Sequence, residues 1–333
     1  MTSIDQLSTP ALVVDKATFE ANLDAADAVL PGDRLRPHVK AFKSTAIAAE
    51  LARRGHRNFC AATPREIEGM VAAGHTDDLL LANESLDLAR LGALTDVASI
   101  TVAVDSDTIL EAAVAAGIDQ VLIDVDVGLP RCGCSPEQAP KLADLARARG
   151  LTVRGVMGYE GHLMMIEDRA ERIEKVAESM AVLAAVAVEV GGDIISAGGT
   201  GTFDVNTVAT EIQAGSFTLM DSDYARLDGP FRPALSVLAT VISVNPKGWI
   251  VADAGIKAIA MDHGNPIWDG GDVLFCSDEH ATLVLQDPGQ WKVGDRVRLT
   301  PAHIDPTVAR HESLWLLDDD RVVEHWPVDL RGW

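Results

Sequence analysis

The chain has 333 residues, 47% of them hydrophobic, which is enough for one large domain or two with a sizeable core. Its formal net charge is -22, and this excess of carboxylates repels nucleic acids and anionic membrane surfaces, so we expect neither as a partner. The first residues are polar, no apolar run is long enough to span a bilayer, and the four cysteines are expected to be reduced, as in a cytoplasmic protein.

Short apolar runs alternate with helical patterns over the first two-thirds of the chain. The runs that we predict to be strands are Ala11–Val14, Leu35–Lys40, Asn58–Ala61, Asp78–Ala82, Ser99–Val104, Gln120–Asp124, Thr152–Met157 and Asp193–Ser196. The predicted helices, rich in Ala, Leu and Glu, include Pro64–Ala73, Leu86–Leu94, Asp107–Ala116, Ser135–Ala148 and Arg169–Val190. About eight strand–helix units predict a (β/α)8 TIM barrel, an α/β fold, with a doubly wound open sheet as the alternative.

The pattern changes after residue 224. From residue 231 onward, β-rich runs separated by turns, among them 245–248 and 287–289, replace the helical periodicity. We therefore predict a barrel domain over residues 11–229 and an all-β domain over residues 230–333. Residues 1–10 are candidates to pair with the β domain.

Lys40 ends a predicted strand, and a helix is expected to begin soon after it, near Ser44. The carboxyl ends of barrel strands carry the chemistry, so an amine at this position is a candidate nucleophile. Taken alone, Lys40 is more typical of a surface lysine. Its interpretation depends on the groups that follow the other strands.

Two glycine-containing segments follow the last predicted strands of the barrel. Glycines let backbone N–H groups converge on an anion, and hydroxyl groups add donors. Barrels commonly bind phosphate in the loops after their last two strands, which favours a phosphate site over an unliganded turn. The candidate residues are Ser196, Gly198, Gly199, Thr200, Gly215 and Ser216.

Three further side chains follow predicted strand ends. Arg131 is a candidate donor to a phenolate or carboxylate, although a pair with a neighbouring aspartate is the alternative. Tyr159 is able to pack on an aromatic ring, and His162 carries an imidazole, a group that exchanges protons in many active sites, although a lone histidine is usually structural. Together with Lys40 and a phosphate site, these groups favour pyridoxal phosphate as cofactor, with Lys40 as its Schiff-base partner.

His303 and Asp305 lie two residues apart in the predicted β domain. In a strand they point the same way, so an imidazole and a carboxylate face one point, which suits a divalent ion such as Zn²⁺ or Mn²⁺. Two ligands leave an open coordination shell, which favours a catalytic ion over a structural one. The alternative is a hydrogen bond between histidine and carboxylate.

Motifs along the whole chain resemble the D-threonine aldolase and D-serine dehydratase family, whose members are fold-type III pyridoxal-phosphate enzymes with an alanine racemase-like barrel. The last motif is the most specific, because simple alanine racemases lack it. The motifs are Arg36-Pro-His-Val-Lys40, Val127-Gly-Leu-Pro-Arg131-Cys-Gly, Tyr159-Glu-Gly-His162, Ser196 to Thr202, Glu211 to Asp221, Asp253 to Lys257, Asp278-Glu-His280 and Pro301 to Val308.

The resemblance implies a role for each candidate residue. Lys40 is expected to bind the cofactor covalently, Arg131 to contact its phenolic oxygen, and the glycine-rich turn with the Gly215–Ser216 segment to hold its phosphate. His303 and Asp305 are expected to bind a divalent metal, Mn²⁺, Mg²⁺ or Zn²⁺. The dehydratase branch usually carries cysteine at the second metal position, so Asp305 favours the aldolase branch, and its hard oxygen makes Mn²⁺ or Mg²⁺ more acceptable.

The resemblance predicts a carbon–carbon lyase that cleaves D-3-hydroxy amino acids to glycine and an aldehyde, with His162 as candidate base. A D-serine or 3-hydroxy-D-aspartate dehydratase and a 3-hydroxy-D-aspartate aldolase are the close alternatives, ahead of a racemase or a non-catalytic cofactor carrier. A homodimer with its active site near the interface is also implied. Phe42, Phe217 and Leu129-Pro130 depart from the family pattern and bear on the substrate side chain.

Overall fold

The computed structural model describes residues 2–287 and 291–333, so most of the predicted turn at 287–289 lies outside the described residues. The strands are β1 (Thr2–Ser3), β2 (Ala11–Asp15), β3 (Asn58–Ala61), β4 (Asp78–Leu81), β5 (Ile100–Val104), β6 (Gln120–Asp124), β7 (Thr152–Gly158), β8 (Ile194–Ala197), β9 (Glu211–Ile212), β10 (Leu235–Asn245), β11 (Trp249–Ala252), β12 (Gly271–Cys276), β13 (Ala281–Leu285), β14 (Arg296–Leu299), β15 (Ser313–Asp318) and β16 (Arg321–Pro327). The helices are α1 (Lys16–Val29), α2 (Thr45–Arg53), α3 (Pro64–Ala72), α4 (Ala89–Gly92), α5 (Asp107–Ala116), α6 (Ala139–Ala148), α7 (Arg169–Val190) and α8 (Ile304–Val308). Among the described residues, each helix is too short or too polar to serve as a membrane span.

A parallel barrel forms the first compact unit, which comprises Ala26–Lys40, Ile47–Gly215 and Leu330–Trp333. Its sheet has the order β3-β4-β5-β6-β7-β8-β9. The segment 35–38 joins the two outer strands, through parallel bridges that connect it to β9 on one side and to β3 on the other. Backbone hydrogen bonds of 2.9 and 3.0 Å accompany these bridges. The sheet thus closes through eight strand positions, and the predicted α/β barrel is confirmed.

The first predicted barrel strand lies elsewhere. β2 pairs antiparallel with β10 and parallel with β15, and it belongs to the second unit. β9 takes the remaining barrel position. The apolar run Ala11–Val14 is buried throughout, and such a run looks the same whether it lies in a parallel barrel or at the centre of another sheet. The structure therefore corrects the predicted start of the barrel at residue 11.

Local sequence signals explain where the barrel helices begin. Thr63 caps α3 through a reciprocal capping box with Glu66, and Pro64 occupies the first turn. The prediction of α7 as Arg169–Val190 is confirmed, and the Asp168 side chain accepts a hydrogen bond at its start. The helix predicted from Ser135 begins instead at Ala139, because Ser135 to Gln138 form a turn ahead of it.

A buried ionic network lies at the amino ends of the barrel strands. Arg36 is 1% exposed, and its guanidinium contacts Glu211 at 2.7 Å and Asp78 at 2.9 Å. Arg154 contacts the other side of Asp78 at 2.7 Å and donates to Thr101 at 2.7 Å. Burial by itself lowers the pKa of Arg36, but the two carboxylates outweigh it and raise the pKa above its usual value. This network is structural, because it occupies the end of the barrel opposite to Lys40.

We expect Asp78 to make the stability of the protein depend on pH in acid. Burial raises the pKa of Asp78, but Arg154 and Arg36 outweigh it and lower the pKa from 3.8 to about 2. A carboxyl with a depressed pKa stabilises the fold fully above its unfolded pKa, and this stabilisation is lost as the pH falls through the folded pKa. Urea unfolding should show Asp78→Asn to be less stable than wild type at neutral pH, with a difference that shrinks between pH 3.8 and 2. A difference that stays constant over this range would contradict the assignment.

The second unit is mostly strand and comprises the residues through Ala25, Ala41–Ala46 and Ser216–Asp329. Its sheet runs in the order β1-β16-β15-β2-β10-β11-β13-β12, and β14 also pairs with β10. The N-terminal β1 pairs antiparallel with β16. The unit contains the short helix α8, so the all-β prediction holds for its sheet but not for this segment. A core cluster unites distant parts of the chain and consists of Ile4, Leu7, Val13, Leu238 and Leu317.

Candidate active site

Lys40 lies at the carboxyl end of the barrel position formed by residues 35–38. A single 3-10 turn, Val39–Ala41, follows that segment, and α2 begins at Thr45. The backbone N–H of Lys40 donates to Nδ1 of His38 at 3.4 Å. The half-buried lysine therefore lies at the end of the barrel where the βα loops carry chemistry.

A buried carboxylate, Glu160, organises the glycine-rich turn. Its Oε2 accepts the N–H of Gly198 at 3.0 Å, and its Oε1 accepts the hydroxyl of Thr202 at 2.9 Å and the amide of Asn206 at 2.8 Å. Glu160 is fully buried, so these three donors balance the cost of removing its charge from water. Sequence reasoning named its neighbours Tyr159 and His162 but gave Glu160 no role. The signal in the sequence was an acid two residues after the end of an apolar strand.

We expect Glu160→Gln to loosen the glycine-rich turn. A glutamine presents an NH₂ group where one of the three donors now meets an oxygen, so a buried donor loses its acceptor. The cost should be about 1–3 kcal/mol in the free energy of unfolding, measured by urea denaturation. The turn should also bind anions more weakly. Calorimetric titration with inorganic phosphate would measure this change in affinity. Exposed Glu189→Gln on α7 is the control, and equal behaviour of the two variants would contradict the role of Glu160.

The turn itself has room for backbone but not for side chains. Gly198 has a φ of +84°, and a Cβ on Gly199 would lie 2.9 Å from Sδ of Met164. Ser196 and Thr200 are buried there, and the Ser196 hydroxyl accepts a hydrogen bond from Gln213 at 2.9 Å. Small residues and buried hydroxyl groups fit a phosphate cradle.

Two of the predicted phosphate donors are already used within the turn. The N–H of Gly198 donates to Glu160, and the N–H of Gly199 donates to the hydroxyl of Thr202 at 3.3 Å. These glycines therefore shape the turn. Gly215 ends the long central segment of the barrel unit. Ser216 begins a segment of the second unit and donates to Oδ2 of Asp305 at 3.4 Å.

The loops after β6 and β7 bring three predicted residues together. The guanidinium carbon of Arg131 lies 5.1 Å from the centroid of the Tyr159 ring, which is a cation–π contact. His162 is exposed, and its imidazole lies 3.1 Å from the position of a Cβ built on Gly128, in the loop that carries Arg131. The positive, aromatic and imidazole groups thus share one end of the barrel.

An acidic pair supports the Arg131 loop. Burial raises the pKa of Asp124 well above its usual value, and the neighbouring Glu84 adds to the effect. Burial, followed by a hydrogen bond to Glu84, raises the pKa of the Cys132 thiol to about 12. Cys134 donates to the carbonyl of Asp124 at 3.2 Å. Burial also raises the pKa of the Cys134 thiol, so both thiols are protonated at neutral pH.

His303 and Asp305 converge, but not as members of a strand. His303 is the residue before α8, and Asp305 lies in the first turn of that helix. The strand prediction is wrong because Pro306, which has no N–H and a fixed φ, suits the first turn of a helix. Nε2 of His303 lies 4.0 Å from Oδ2 of Asp305. Two metal–ligand bonds of about 2.1 Å span at most about 4.2 Å, so both donor atoms are within reach of one divalent ion when the angle between the two bonds is wide.

The start of α8 is held by Asp221, a buried carboxylate. Its side chain accepts the N–H of Ile304 at 3.1 Å and that of Tyr224 at 2.9 Å. Burial raises the pKa of Asp221 to about 6, although these two hydrogen bonds oppose the shift. Asp221 therefore fixes the backbone that carries His303 and Asp305.

Sequence reasoning missed an Asp-His pair beside His303. Oδ2 of Asp262 lies 2.6 Å from Nδ1 of His303, and the His263 ring stacks on the His303 ring at 4.1 Å with an angle of 17°. Nδ1 of His263 lies 3.0 Å from Oδ2 of Asp223. The adjacent Asp and His were visible in the sequence, but their distance from residue 303 along the chain hid the connection.

Known proteins match both parts of the chain. The family model described as alanine racemase, N-terminal domain, matches residues 14–223, and the model described as putative serine dehydratase domain matches residues 234–317. The D-threonine aldolase of Arthrobacter sp is 38% identical over 98% of this chain and 93% of its own length. The 3-hydroxy-D-aspartate aldolase of Paracoccus denitrificans (strain Pd 1222) is 32% identical over the same shares.

A solved structure extends this similarity to the fold. The crystal structure of D-threonine aldolase from Filomicrobium marinum matches with a TM-score of 0.91 and 33% identity, over 98% of this chain and 96% of that one. The barrel, the second unit and the motifs therefore all agree with one group of enzymes. The chain belongs to the family that joins an alanine racemase-type barrel to a serine dehydratase-type β domain and that includes D-threonine aldolase.

Proposed function

We propose that the protein is a lyase that depends on pyridoxal phosphate and a divalent metal and that cleaves D-3-hydroxy amino acids, D-threonine among them, to glycine and an aldehyde. The observation that carries this proposal is the 4.0 Å separation of the His303 and Asp305 donor atoms. Their placement suits one ion, and a racemase has no need of such an ion. The 38% identity to a D-threonine aldolase supports the same substrate class.

The cofactor and the metal supply the chemistry that side chains lack. When bound, pyridoxal phosphate supplies an electron sink for the electrons of the broken Cα–Cβ bond, and the divalent ion supplies a Lewis acid for the substrate hydroxyl. We assign Lys40 as the amine that anchors the cofactor and Arg131 as donor to its phenolic oxygen. Tyr159 holds Arg131 through the contact of 5.1 Å described above.

Phosphate binding is assigned to the glycine-rich turn. The hydroxyls of Ser196 and Thr200 are the proposed donors, and Gly198 and Gly199 are proposed to keep the turn narrow enough for an anion. We also propose that Gly215 and Ser216 contact the phosphate.

His162 is the proposed base for the β-hydroxyl of the substrate. Its imidazole is exposed and belongs to the loop that also carries Tyr159, and an imidazole exchanges protons near neutral pH. His162 accepts the hydroxyl proton, directly or through water, as the Cα–Cβ bond breaks and the aldehyde leaves. A proton then returns to Cα and glycine is formed, so the proton count is balanced.

A dehydratase is the second candidate function. The match of residues 234–317 to a serine dehydratase domain model favours it, since that reaction also uses a metal to assist the hydroxyl group. Asp305, a harder ligand than the cysteine usual in the dehydratase branch, favours the aldolase. The same hard ligand makes Mn²⁺ or Mg²⁺ the proposed metal ahead of Zn²⁺.

One experiment separates the two reactions. Purified protein with pyridoxal phosphate is incubated with D-threonine, D-serine or D-3-hydroxyaspartate, with and without EDTA and Mn²⁺. Glycine and acetaldehyde from D-threonine support the aldolase, whereas a 2-oxo acid and ammonia from D-serine or D-3-hydroxyaspartate identify a dehydratase. Mass measurement by light scattering tests our further proposal of a homodimer. We also propose a cytoplasmic location, because all four cysteines are free, as is usual in a reducing compartment.

A further inference from the structure

The His303 ring is held on its Nδ1 edge and on one face. Asp262 contacts its Nδ1 at 2.6 Å, and the His263 ring covers one face at 4.1 Å. His263 is itself held by Asp223, whose Oδ2 lies 3.0 Å from Nδ1 of the imidazole. The Nε2 edge points the other way, towards Asp305.

The carboxylate of Asp262 decides which nitrogen of His303 carries hydrogen. An ionised carboxylate accepts hydrogen bonds and donates none, so the contact of 2.6 Å requires the hydrogen on Nδ1. In the neutral ring, Nε2 then keeps its lone pair, which is what a metal ion binds. Without this contact, the hydrogen is free to lie on Nε2, where it opposes binding.

The distances argue against Asp262 as a direct ligand. Two donor atoms on one ion at bonds of about 2.1 Å are ordinarily about 3 Å or more apart. The separation of 2.6 Å between Asp262 and His303 is that of a hydrogen bond. Asp262, His263 and His303 place donor atoms within 4.8 Å of one another, but that group forms around a hydrogen bond.

We propose that Asp262 is a positioning residue for the metal site, holding His303 in the tautomer and orientation that present Nε2 to a divalent ion together with Asp305. His263, braced by Asp223, restrains the plane of the ring. This inference rests on the proposed function, because it takes His303 and Asp305 as the metal ligands. Carboxylates that hold a ligating histidine in this way commonly contribute tenfold or more to metal affinity.

The test measures binding of Mn²⁺ by electron paramagnetic resonance, independently of catalysis. Asp262→Ala should bind Mn²⁺ about 10- to 100-fold more weakly than wild type. Asp262→Asn, whose amide oxygen still accepts from Nδ1, should restore most of the affinity. Exposed Asp272→Asn in β12 removes the same charge from the same unit and should leave the affinity unchanged. Asp305→Asn should weaken binding at least as much as Asp262→Ala.

The tautomer gives a second readout that a purely structural role would not change. In ¹⁵N-histidine spectra of the metal-free protein, which has nine histidines, the His303 signals are identified by their loss in His303→Gln. Wild type and Asp262→Asn should show hydrogen on Nδ1, whereas Asp262→Ala should show a shift towards Nε2. Circular dichroism confirms that each variant is folded.

Three results would contradict the proposal, and each has a different consequence for the proposed function. Unchanged affinity in Asp262→Ala, with binding still dependent on His303 and Asp305, overturns the positioning role alone. Loss of binding in Asp262→Ala together with full binding in Asp305→Asn makes Asp262 a ligand. Absence of Mn²⁺ binding to wild type removes the metal from the proposed function, and the positioning role with it.

Discussion

Lys40→Ala protein, incubated with pyridoxal phosphate and then desalted, is expected to show no visible absorbance from lysine-bound cofactor. Its cleavage of D-threonine should fall on the order of 10³-fold, because the variant loses a covalent anchor and a proton-transferring amine together. Lys40 lies two residues beyond the parallel bridge that His38 makes with Cys60, so its amine is at the reactive end of the barrel. Absorbance spectra and acetaldehyde release measure the two effects.

A matched lysine in the same unit serves as the control. Lys141 is exposed on α6, and Lys141→Ala should keep both the visible band and the activity. Reduction of the loaded protein with borohydride, followed by peptide mapping, should place the cofactor on Lys40. A band that survives in Lys40→Ala, or a label on another lysine, would remove Lys40 from its assigned role.

Loss of either proposed metal donor should lower the cleavage of D-threonine almost as much as loss of Lys40. His303→Asn and Asp305→Asn should each lower cleavage of D-threonine on the order of 10²-fold, because a Lewis acid at the hydroxyl contributes several kcal/mol to the transition state. EDTA should inactivate wild type, and Mn²⁺ should restore it but not the variants. Acetaldehyde release against Mn²⁺ concentration is the measurement. Full activity after chelation would exclude a metal role for this pair.

Asp305, the second proposed metal donor, also offers a test of which divalent ion the site prefers. Asp305→Cys replaces a hard oxygen with a soft thiolate, so we expect the preferred ion to change from Mn²⁺ to Zn²⁺. Nothing else at the start of α8 needs to move, since Asp221 holds that backbone through the N–H of Ile304. Reactivation of metal-free protein with each ion measures the preference. An unchanged preference for Mn²⁺ would show that residue 305 does not set it.

Local patterns in the sequence were sufficient to predict an α/β barrel and to single out candidate site residues. Leu35 to Lys40 combines extended-favouring residues with a terminal lysine, and the structure has that segment between β9 and β3. The long amphipathic run of α7 carries its own cap, Asp168. Such features depend on neighbours along the chain, so a single sequence reveals them.

Local patterns do not show which sheet a buried strand joins, and this was decided by pairing between distant segments. The run Ala11–Val14 is apolar throughout, and its partners, β10 and β15, are more than two hundred residues away. No local signal distinguishes that sheet from the barrel, because a strand buried on both faces looks alike in each. The barrel strand was the natural prediction and the wrong one.

By itself, the sequence determined the alternating α/β architecture, the order of the motifs and the residue types that suit a cofactor and a metal. Tertiary structure alone decided which groups support them. Glu160 meets Gly198 and Asn206, and Asp262 meets His303, through hydrogen bonds whose partners lie 38 to 46 residues apart. These contacts require atoms within about 3 Å, and only the folded backbone sets such distances. Residue types indicate which chemistry is possible at a site. The fold determines which nitrogen of a histidine carries the hydrogen and which carboxylate oxygen accepts it.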